Sequence, residues 1–316
     1  MLAPVLAQLQ EQNPETVRVV FRHFPLLSIH DKAALAAQAA EAAGEQGKFW
    51  EMHDVLFESQ AEWAQMSVDE FQDWLGERAA DLGLDDEQFD QDLTSQAIVD
   101  KVQQAWDNGQ AVGLPGTPLL LINGSYYSGP KDFGSLESIL KVIQLQDQQF
   151  TECPPVTADP LKNYSTTLHT EKGDITIELF PDAAPMAVNS FLFLARNGWF
   201  DGITFHRVIP GQIAQTGDPT GTGLGGPGYA FGDEISPDLK FDQAGVVGMA
   251  NAGPGSNGSQ FFITLGPMPN LDGSYTIFGR VISGLDVAQD LAPRDPQQSA
   301  SLPPGDEILS VTVEEK

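Results

Sequence analysis

The length, composition and charge of the chain exclude several classes of protein. Its 316 residues favour two domains, and a hydrophobic content of 41% is enough to build ordinary cores. The excess of 44 acidic over 16 basic residues argues against nucleic acid or anionic lipid as a partner, and no apolar run of roughly 18 residues predicts a membrane span.

The first half of the chain is predicted to be an α/β mixture weighted towards helix. Apolar residues recur with helical spacing in three segments, 32–58, 68–84 and 136–148. Strands are predicted at 17–24, 118–124 and 125–129. Pro118 opens the second of these strands, where a residue without an N–H fits, so Thr117–Pro118 is a candidate cis peptide bond.

These segments resemble the thioredoxin-fold, DsbA-like disulfide oxidoreductases over about residues 1–148. In that family a strand and a C-x-x-C motif precede the helix that MLAPVLAQLQ resembles, so the resemblance implies a truncated domain without its first, central strand. Cys153 is the only cysteine of the chain, and this half therefore has no thiolate for disulfide exchange. We expect the coding sequence upstream of Met1 to supply the C-x-x-C; otherwise this half is a binding or spacing module.

The second half is predicted to be all-β. The stretches that read as strands are 164–180, 203–209, 213–218, 245–251, 259–265, 275–282 and 308–315. Helices are predicted at 185–198 and 285–292. The proline-rich residues 149–163 are predicted to be a linker between the halves.

Three long motifs of the second half stand in an order that identifies a family. They are FHRVIPGQIAQTGD at 205–218, GVVGMANAGPGSNGSQFFITL at 245–265 and LDGSYTIFGRVISGLDV at 271–287. Together they resemble the cyclophilins, which are peptidyl-prolyl cis-trans isomerases, from about Tyr164 to Val313. The resemblance implies an all-β, closed eight-stranded antiparallel barrel with two capping helices, and we assign 164–316 to it. The predicted fold is multidomain: a helix-rich α/β thioredoxin-like domain followed by this barrel.

Arg207 lies within the first motif, in an apolar strand where Asp201 is the only acidic residue within six positions. Isomerisation of an X–Pro bond needs no nucleophile, metal or proton relay, because the enzyme need only bind the twisted amide better than the planar one. A fixed guanidinium can donate to the prolyl nitrogen, which gains a lone pair as the amide twists. The resemblance makes Arg207 and Gln215 catalytic, with Gln215 orienting the arginine and the substrate carbonyl.

The other site residues are implied by the same resemblance. The residues expected to contact substrate are Phe205, Ile213, Ala250, Asn251, Gln260, Phe262, Leu271 and Tyr275. Of these, Asn251 pairs through its backbone with the extended peptide, and Ala250 and Gln260 border the subsite next to the proline. Asn270 stands where well-known cyclophilins carry a tryptophan, so we expect weakened inhibition by cyclosporin.

Two features beside the arginine are interpreted as structural. His206 invites a general-base role, but rotation about a peptide bond transfers no proton. Gly221–Gly226 fits the dinucleotide pattern G-x-G-x-x-G, yet Pro227 and Gly228 follow it where a helix would have to begin. We therefore predict a flexible loop at this position.

The sequence predicts a peptidyl-prolyl isomerase that assists protein folding and acts on proline-containing polypeptides. Five histidines without close pairing predict no metal site, and we expect no cofactor. The alternatives are a non-catalytic peptide-binding chaperone module and, with a C-x-x-C upstream of Met1, a bifunctional thiol-disulfide oxidoreductase and prolyl isomerase. The pairing of folds favours the cell envelope or secretion if an export signal lies upstream, and the cytoplasm otherwise.

Overall fold

The computed structural model describes residues 2–296 and 302–316. The chain divides into two compact units, Met1–Phe133 and Gly134–Lys316. The domain boundaries predicted from the sequence, 1–148, 149–163 and 164–316, stay predictions. No helix within the described ranges is long and apolar enough to cross a membrane.

The first unit consists of helices and one hairpin. Its helices are α1 Ala3–Gln12, α2 Ala33–Glu45, α3 Phe49–Glu58, α4 Gln60–Trp63, α5 Val68–Asp81, α6 Asp86–Leu93 and α7 Gln96–Ala111. Strands β1 Leu120–Ile122 and β2 Ser125–Tyr127 pair antiparallel. Small buried side chains such as Ala42 and Ala43 let α2 approach its neighbours closely, and Phe71 fills the core between them. Ser67 and Glu70 form a capping box that fixes the start of α5.

The predicted strand at 17–24 forms no regular secondary structure. Exposure of its side chains alternates as in a strand, and Val20 is 67% exposed. In the part of the chain that the structure describes, no neighbouring strand pairs with this segment, and an unpaired strand gains no ladder hydrogen bonds. That a central strand of the family is missing from this domain stays an expectation of the resemblance. The Thr117–Pro118 peptide bond is cis, as the sequence predicts.

The second unit is built around one antiparallel sheet. Its helices are α8 Phe133–Leu145, which begins at the division, α9 Pro185–Arg196 and α10 Leu285–Gln289, with 3-10 turns at Gln146–Gln148 and Pro269–Leu271. Its strands are β3 Tyr164–Thr170, β4 Gly173–Leu179, β5 Ile203–Thr204, β6 Arg207–Ile209, β7 Ile213–Thr216, β8 Val246–Met249, β9 Phe261–Thr264, β10 Ile277–Ser283 and β11 Glu307–Glu315. Within the described residues the sheet has nine strands, in the order β5-β11-β3-β4-β10-β8-β9-β7-β6.

The two edges of this sheet, β5 and β6, follow each other on the chain. Only Phe205 and His206 separate them, so the sheet must curl to bring its two edges close together. The edges are joined by these two residues and not by hydrogen bonds between β5 and β6. The predicted strand 203–209 is interrupted because its two ends have different partners. β5 pairs with β11, whereas β6 pairs with β7, and Val208 forms an isolated bridge with Arg294. Counted as one interrupted strand, β5 and β6 give the predicted number of eight.

Helix α9 packs against the curled sheet and contributes several side chains to its core. Phe191 of this helix lies 5.0 Å from the ring of Phe200 and 5.3 Å from that of Phe261. The helix begins at Pro185, and the carboxylate of Glu234 accepts hydrogen bonds of 2.9 Å from the amides of Met186 and Ala187. A carboxylate at a helix N-terminus satisfies amides that have no partner within the helix.

Candidate active site

Four residues form a row across four neighbouring strands of the second unit. Arg207 on β6 lies opposite Gln215 on β7, which lies opposite Phe262 on β9, which lies opposite Gly248 on β8. Residues directly opposite each other in antiparallel strands project from the same face. The sheet therefore presents the arginine, the glutamine and the phenylalanine on one surface, with Arg207 and Phe262 two strands, or about 10 Å, apart.

The adjacent row shows that this surface is the outer face of the curled sheet. Val208, Ala214, Ile263 and Val247 pair across the same strands, and all four are buried in the interior core. Because side chains alternate along a strand, the Arg207 row must point away from that core. The core and the candidate site are thus opposite faces of the same strands.

An apolar cluster covers part of the outer face. This outer cluster consists of Phe241, Val246, Phe262 and Ile277, which are buried, with Phe180, Ile213, Leu239, Ala250, Met268, Leu271 and Tyr275 packed against them. The Phe262 ring stacks on Phe241 at 5.5 Å and meets Tyr275 edge-on at 5.7 Å. A Cβ on Gly248 would lie 2.9 Å from both phenylalanine rings, so a glycine is needed beneath them.

Five of the predicted substrate contacts belong to this outer cluster: Ile213, Ala250, Phe262, Leu271 and Tyr275. Their spacing in the sequence gives no hint of one cluster, because they come from β7, β9 and the segments around β8 and β10. The fold brings them together beside the Arg207 row. Their contacts with a substrate stay predictions.

The Arg207 side chain lies partly exposed near the carboxylate of Asp295. It is 30% exposed, and its Nε finds no hydrogen-bond partner among the residues described. The nearest carboxylate oxygen, Oδ1 of Asp295, lies 3.9 Å from Nε, which is beyond hydrogen-bonding distance. The bridge between Val208 and Arg294 brings Asp295 close to Arg207. Its proximity was not predicted, because the two residues are far apart along the chain.

Gln215 is oriented by a relay of side-chain amides. Gln260 donates from Nε2 to the carbonyl oxygens of Gly223 at 3.0 Å and Gly225 at 2.8 Å. Its Oε1 can then only accept, and it accepts from Nε2 of Gln215 at 3.0 Å. Gln215 therefore keeps its carbonyl oxygen as an acceptor on the face that it shares with Arg207.

The loop that holds Gln260 is organised by a buried carboxylate, Asp218, which has no exposed surface. Oδ1 accepts from the amide and hydroxyl of Thr220 at 2.8 and 2.7 Å. Oδ2 accepts from the amide and hydroxyl of Thr222 at 3.2 and 3.4 Å, and from the amides of Gly223 at 2.7 Å and Gly225 at 3.1 Å. Residues 221–226, predicted to be a loop, form neither helix nor strand, and the carboxylate holds the amides of Gly223 and Gly225; an aspartate before threonine and glycine is the sequence signal.

Asn251 lies in a second loop that a carboxylate organises. Its Nδ2 donates to Oδ1 of Asp233 at 3.3 Å, and Asp233 also accepts from Nδ2 of Asn257 at 2.8 Å and from the amide of Gly255 at 2.9 Å. The amide of Ala250 donates to the carbonyl of Gln260 at 2.9 Å, which ties this loop to the Gln260 strand. The Asn251 side chain is used within the protein, and the predicted pairing of its backbone with a peptide stays a prediction.

Phe205 and His206 lie beneath the site rather than in it. Phe205 has no exposed surface and belongs to the interior core, so the structure does not place it with the other predicted pocket residues. His206 is 2% exposed, and neither ring nitrogen has a partner within the described part of the chain. Burial lowers the pKa of His206 to about 4; Asp218 opposes this shift, and the charges of Arg294 and Arg207 add to it. The His206 ring is therefore neutral at pH 7 and adds no positive charge next to Arg207.

Comparison with known families agrees with this arrangement. The family model described as "Cyclophilin type peptidyl-prolyl cis-trans isomerase/CLD" matches residues 165–313. The model described as "Thioredoxin" matches residues 3–142. The two matches do not overlap. The curled antiparallel sheet corresponds to the cyclophilin match, and the helix-rich first unit corresponds to the thioredoxin match.

Individual peptidyl-prolyl cis-trans isomerases match part of this chain. Peptidyl-prolyl cis-trans isomerase A of Mycobacterium tuberculosis is 50% identical over an alignment of 146 residues that covers 42% of this chain and 80% of that protein. An isomerase of Schizosaccharomyces pombe is 55% identical over 125 residues, 39% of this chain and 81% of that protein. A crystal structure of a cyclophilin type isomerase from Cryptosporidium parvum has 38% identity and a TM-score of 0.45, covering 48% of this chain and 98% of that one. The chain belongs to the cyclophilin-type peptidyl-prolyl cis-trans isomerases, here fused to a thioredoxin-like domain.

Proposed function

We propose that this isomerase acts on proline-containing polypeptides through a hydrogen bond from Arg207 to the prolyl nitrogen, and that it assists protein folding. The observation that carries the proposal is the row of Arg207, Gln215 and Phe262 on the outer face of the sheet. A cation, an amide acceptor and an apolar surface lie side by side there. These are the groups that a twisted prolyl amide needs.

The chemistry follows from the barrier of the uncatalysed reaction. Amide resonance resists rotation by about 18–20 kcal/mol, and an X–Pro bond turns over in tens to hundreds of seconds. When the amide twists, the prolyl nitrogen loses conjugation and becomes a hydrogen-bond acceptor. A donor aimed at this nitrogen stabilises the twisted state and leaves the planar state unaffected, which lowers the barrier.

The arginine supplies only part of the rate enhancement. Raising a rate of about 10⁻² s⁻¹ to about 10³ s⁻¹ requires roughly 7 kcal/mol. One hydrogen bond from a charged group contributes about 1.5–3 kcal/mol. We assign the rest to the outer cluster, in which Phe262 and its neighbours exclude water and strengthen the field of the guanidinium.

Gln215 has two tasks in this proposal. Its carbonyl oxygen is the acceptor that would orient the guanidinium of Arg207, opposite it on the neighbouring strand, and its amide group would orient the substrate carbonyl. Because the relay from Gln260 fixes the amide, the orientation is present before substrate binds. Preorganisation of this kind avoids an entropic cost at the moment of reaction.

Replacing Arg207 tests the proposal. In a peptide assay we expect Arg207→Ala to lower kcat/KM about 100-fold, because it removes the donor to the twisted amide. Arg280→Ala is the matched control: Arg280 is an exposed arginine on a strand of the same sheet, paired with Glu178 at 3.0 Å. We expect its kcat/KM to stay within about twofold of the unmodified chain. Equal rates for the unmodified chain and Arg207→Ala would contradict the role of the arginine.

The role in folding needs a separate measurement. The chain should accelerate refolding of a protein whose slow phase is limited by prolyl isomerisation, and Arg207→Ala should not. If both proteins raised the yield of refolding equally without changing its rate, the chain would act as a peptide-binding chaperone instead.

A further inference from the structure

The segment that was predicted to begin a linker is fastened to the isomerase unit. Gln149 and Phe150, called the strap here, lie between the two regions that match known families. The Phe150 ring lies 4.9 Å from Phe193, 6.0 Å from Trp199 and 6.4 Å from Tyr229. The contacts of this half-buried phenylalanine with three aromatic rings hold the strap against the isomerase unit.

The strap is hydrogen-bonded to the glycine-rich loop beside the active site. Nε2 of Gln149 donates to the carbonyl oxygen of Gly226 at 2.8 Å. The amide of Phe150 donates to the carbonyl oxygen of Pro227, also at 2.8 Å. Gly228 has a φ of +89°, and a Cβ there would lie 2.3 Å from the Phe150 carbonyl oxygen. The loop therefore accommodates the strap only because this position is a glycine.

The same loop holds the active-site amides on its other side. Gly225, the neighbour of Gly226, receives a hydrogen bond from Gln260, and Gln260 in turn receives one from Gln215. Successive carbonyl groups of one short loop thus point to the strap and to the site. A displacement of Gly226 would move the Gly225 carbonyl and change the orientation of Gln260.

We propose that Gln149 and Phe150 are positioning residues for the isomerase site, acting through the glycine-rich loop on Gln260 and Gln215. The proposal rests on the function proposed above, because it gives these two amides a role towards the substrate. Gln260 is expected to border the subsite next to the proline. Loss of the strap should therefore change which residues before proline are preferred, as well as lowering the rate.

The test compares the same substitution at two adjacent glutamines in the full chain. Gln149→Met removes the hydrogen bond to Gly226 and keeps the length of the side chain, whereas Gln148 is exposed and Gln148→Met serves as the control. We expect Gln149→Met to lower kcat/KM about fivefold and to change the ranking of peptides that differ only before the proline. Gln148→Met should match the unmodified chain in both respects.

A second pair of variants separates positioning from folding. Phe150→Ala should lower kcat/KM further and alter the same ranking, and Phe150→Leu should restore most of both because it keeps the apolar contact. Thermal unfolding of each variant is followed by circular dichroism. The proposal would be overturned if the ranking of peptides were unchanged in both Gln149→Met and Phe150→Ala. This holds if kcat/KM is also unchanged, and equally if it falls only in proportion to the amount of folded protein. Failure of the proposed function would be seen separately, as full activity of Arg207→Ala.

Discussion

Asp218→Asn is a small change that should have a large effect. The carboxylate accepts six hydrogen bonds, two at Oδ1 from Thr220 and four at Oδ2 from Thr222, Gly223 and Gly225. An asparagine can keep the four acceptor contacts of Oδ2 if its NH2 group takes the place of Oδ1. That NH2 group then faces the backbone N–H of Thr220. Both groups are hydrogen-bond donors, so the Thr220 amide is left without an acceptor.

The magnitude follows from these contacts. One buried backbone amide left without an acceptor costs about 1–3 kcal/mol, and the remaining bonds lose the strengthening that a charged acceptor gives. Relief from burying a charge offsets part of this loss. We expect the free energy of unfolding to fall by about 3 kcal/mol, and kcat/KM to fall about tenfold because the loop no longer fixes Gln260.

Urea unfolding and a peptide assay measure the two effects. The control is Asp238→Asn, at an exposed aspartate of the same unit, which should change the free energy of unfolding by less than about 0.5 kcal/mol. If Asp218→Asn unfolded at the urea concentration of the control and kept its kcat/KM, then neither the stability of the loop nor the orientation of Gln260 would depend on this carboxylate.

Three further predictions concern the outer cluster and the buried histidine. Phe262→Leu should lower kcat/KM about tenfold in the peptide assay and the free energy of unfolding by about 1–2 kcal/mol, because it leaves a gap beside Phe241; unchanged values would exclude Phe262 from the pocket. Cyclosporin should inhibit the chain weakly, and Asn270→Trp should lower its inhibition constant at least about tenfold; nanomolar inhibition of the unmodified chain would refute this. The pKa of His206 is about 4 in the folded chain and about 6.5 in the unfolded chain. Because the unfolded chain binds the proton first, the free energy of unfolding should decrease as pH falls from 6.5 to 4. Urea unfolding of His206→Gln should show a flatter pH dependence in that window, and an identical one would contradict the assignment.

Local sequence patterns predict the parts of the site that lie within one motif, whereas the residues of the outer cluster were expected only from the family resemblance. Arg207 and Gln215 lie in a single motif, and the alternation of side chains along a strand then fixes which neighbours share their face. The same rule fails for Phe205, two positions before the arginine. Because the strand is interrupted after Thr204, alternation stops there, and Phe205 and His206 are both buried.

Contacts between distant segments were beyond the reach of sequence patterns. Asp295 approaches Arg207 through a bridge of a segment far along the chain, and no local pattern announces that pairing. Residues 17–24 have the composition of a strand, but a strand exists only with a hydrogen-bonded neighbour. The local sequence around Phe150, at the start of the predicted linker, gives no sign of its contacts with Phe193, Trp199 and Tyr229.

The same strands carry the interior core on one face and the candidate site on the other, which has a consequence for thermal inactivation. Val208 and Ala214 contribute to the interior on the reverse side of the peptide units that carry Arg207 and Gln215. The positions of Arg207 and Gln215 on the sheet therefore cannot be lost while the interior behind them stays packed. Heating can displace these two residues only by unfolding the sheet, so any activity lost below the melting temperature should come from the glycine-rich loop that orients Gln260.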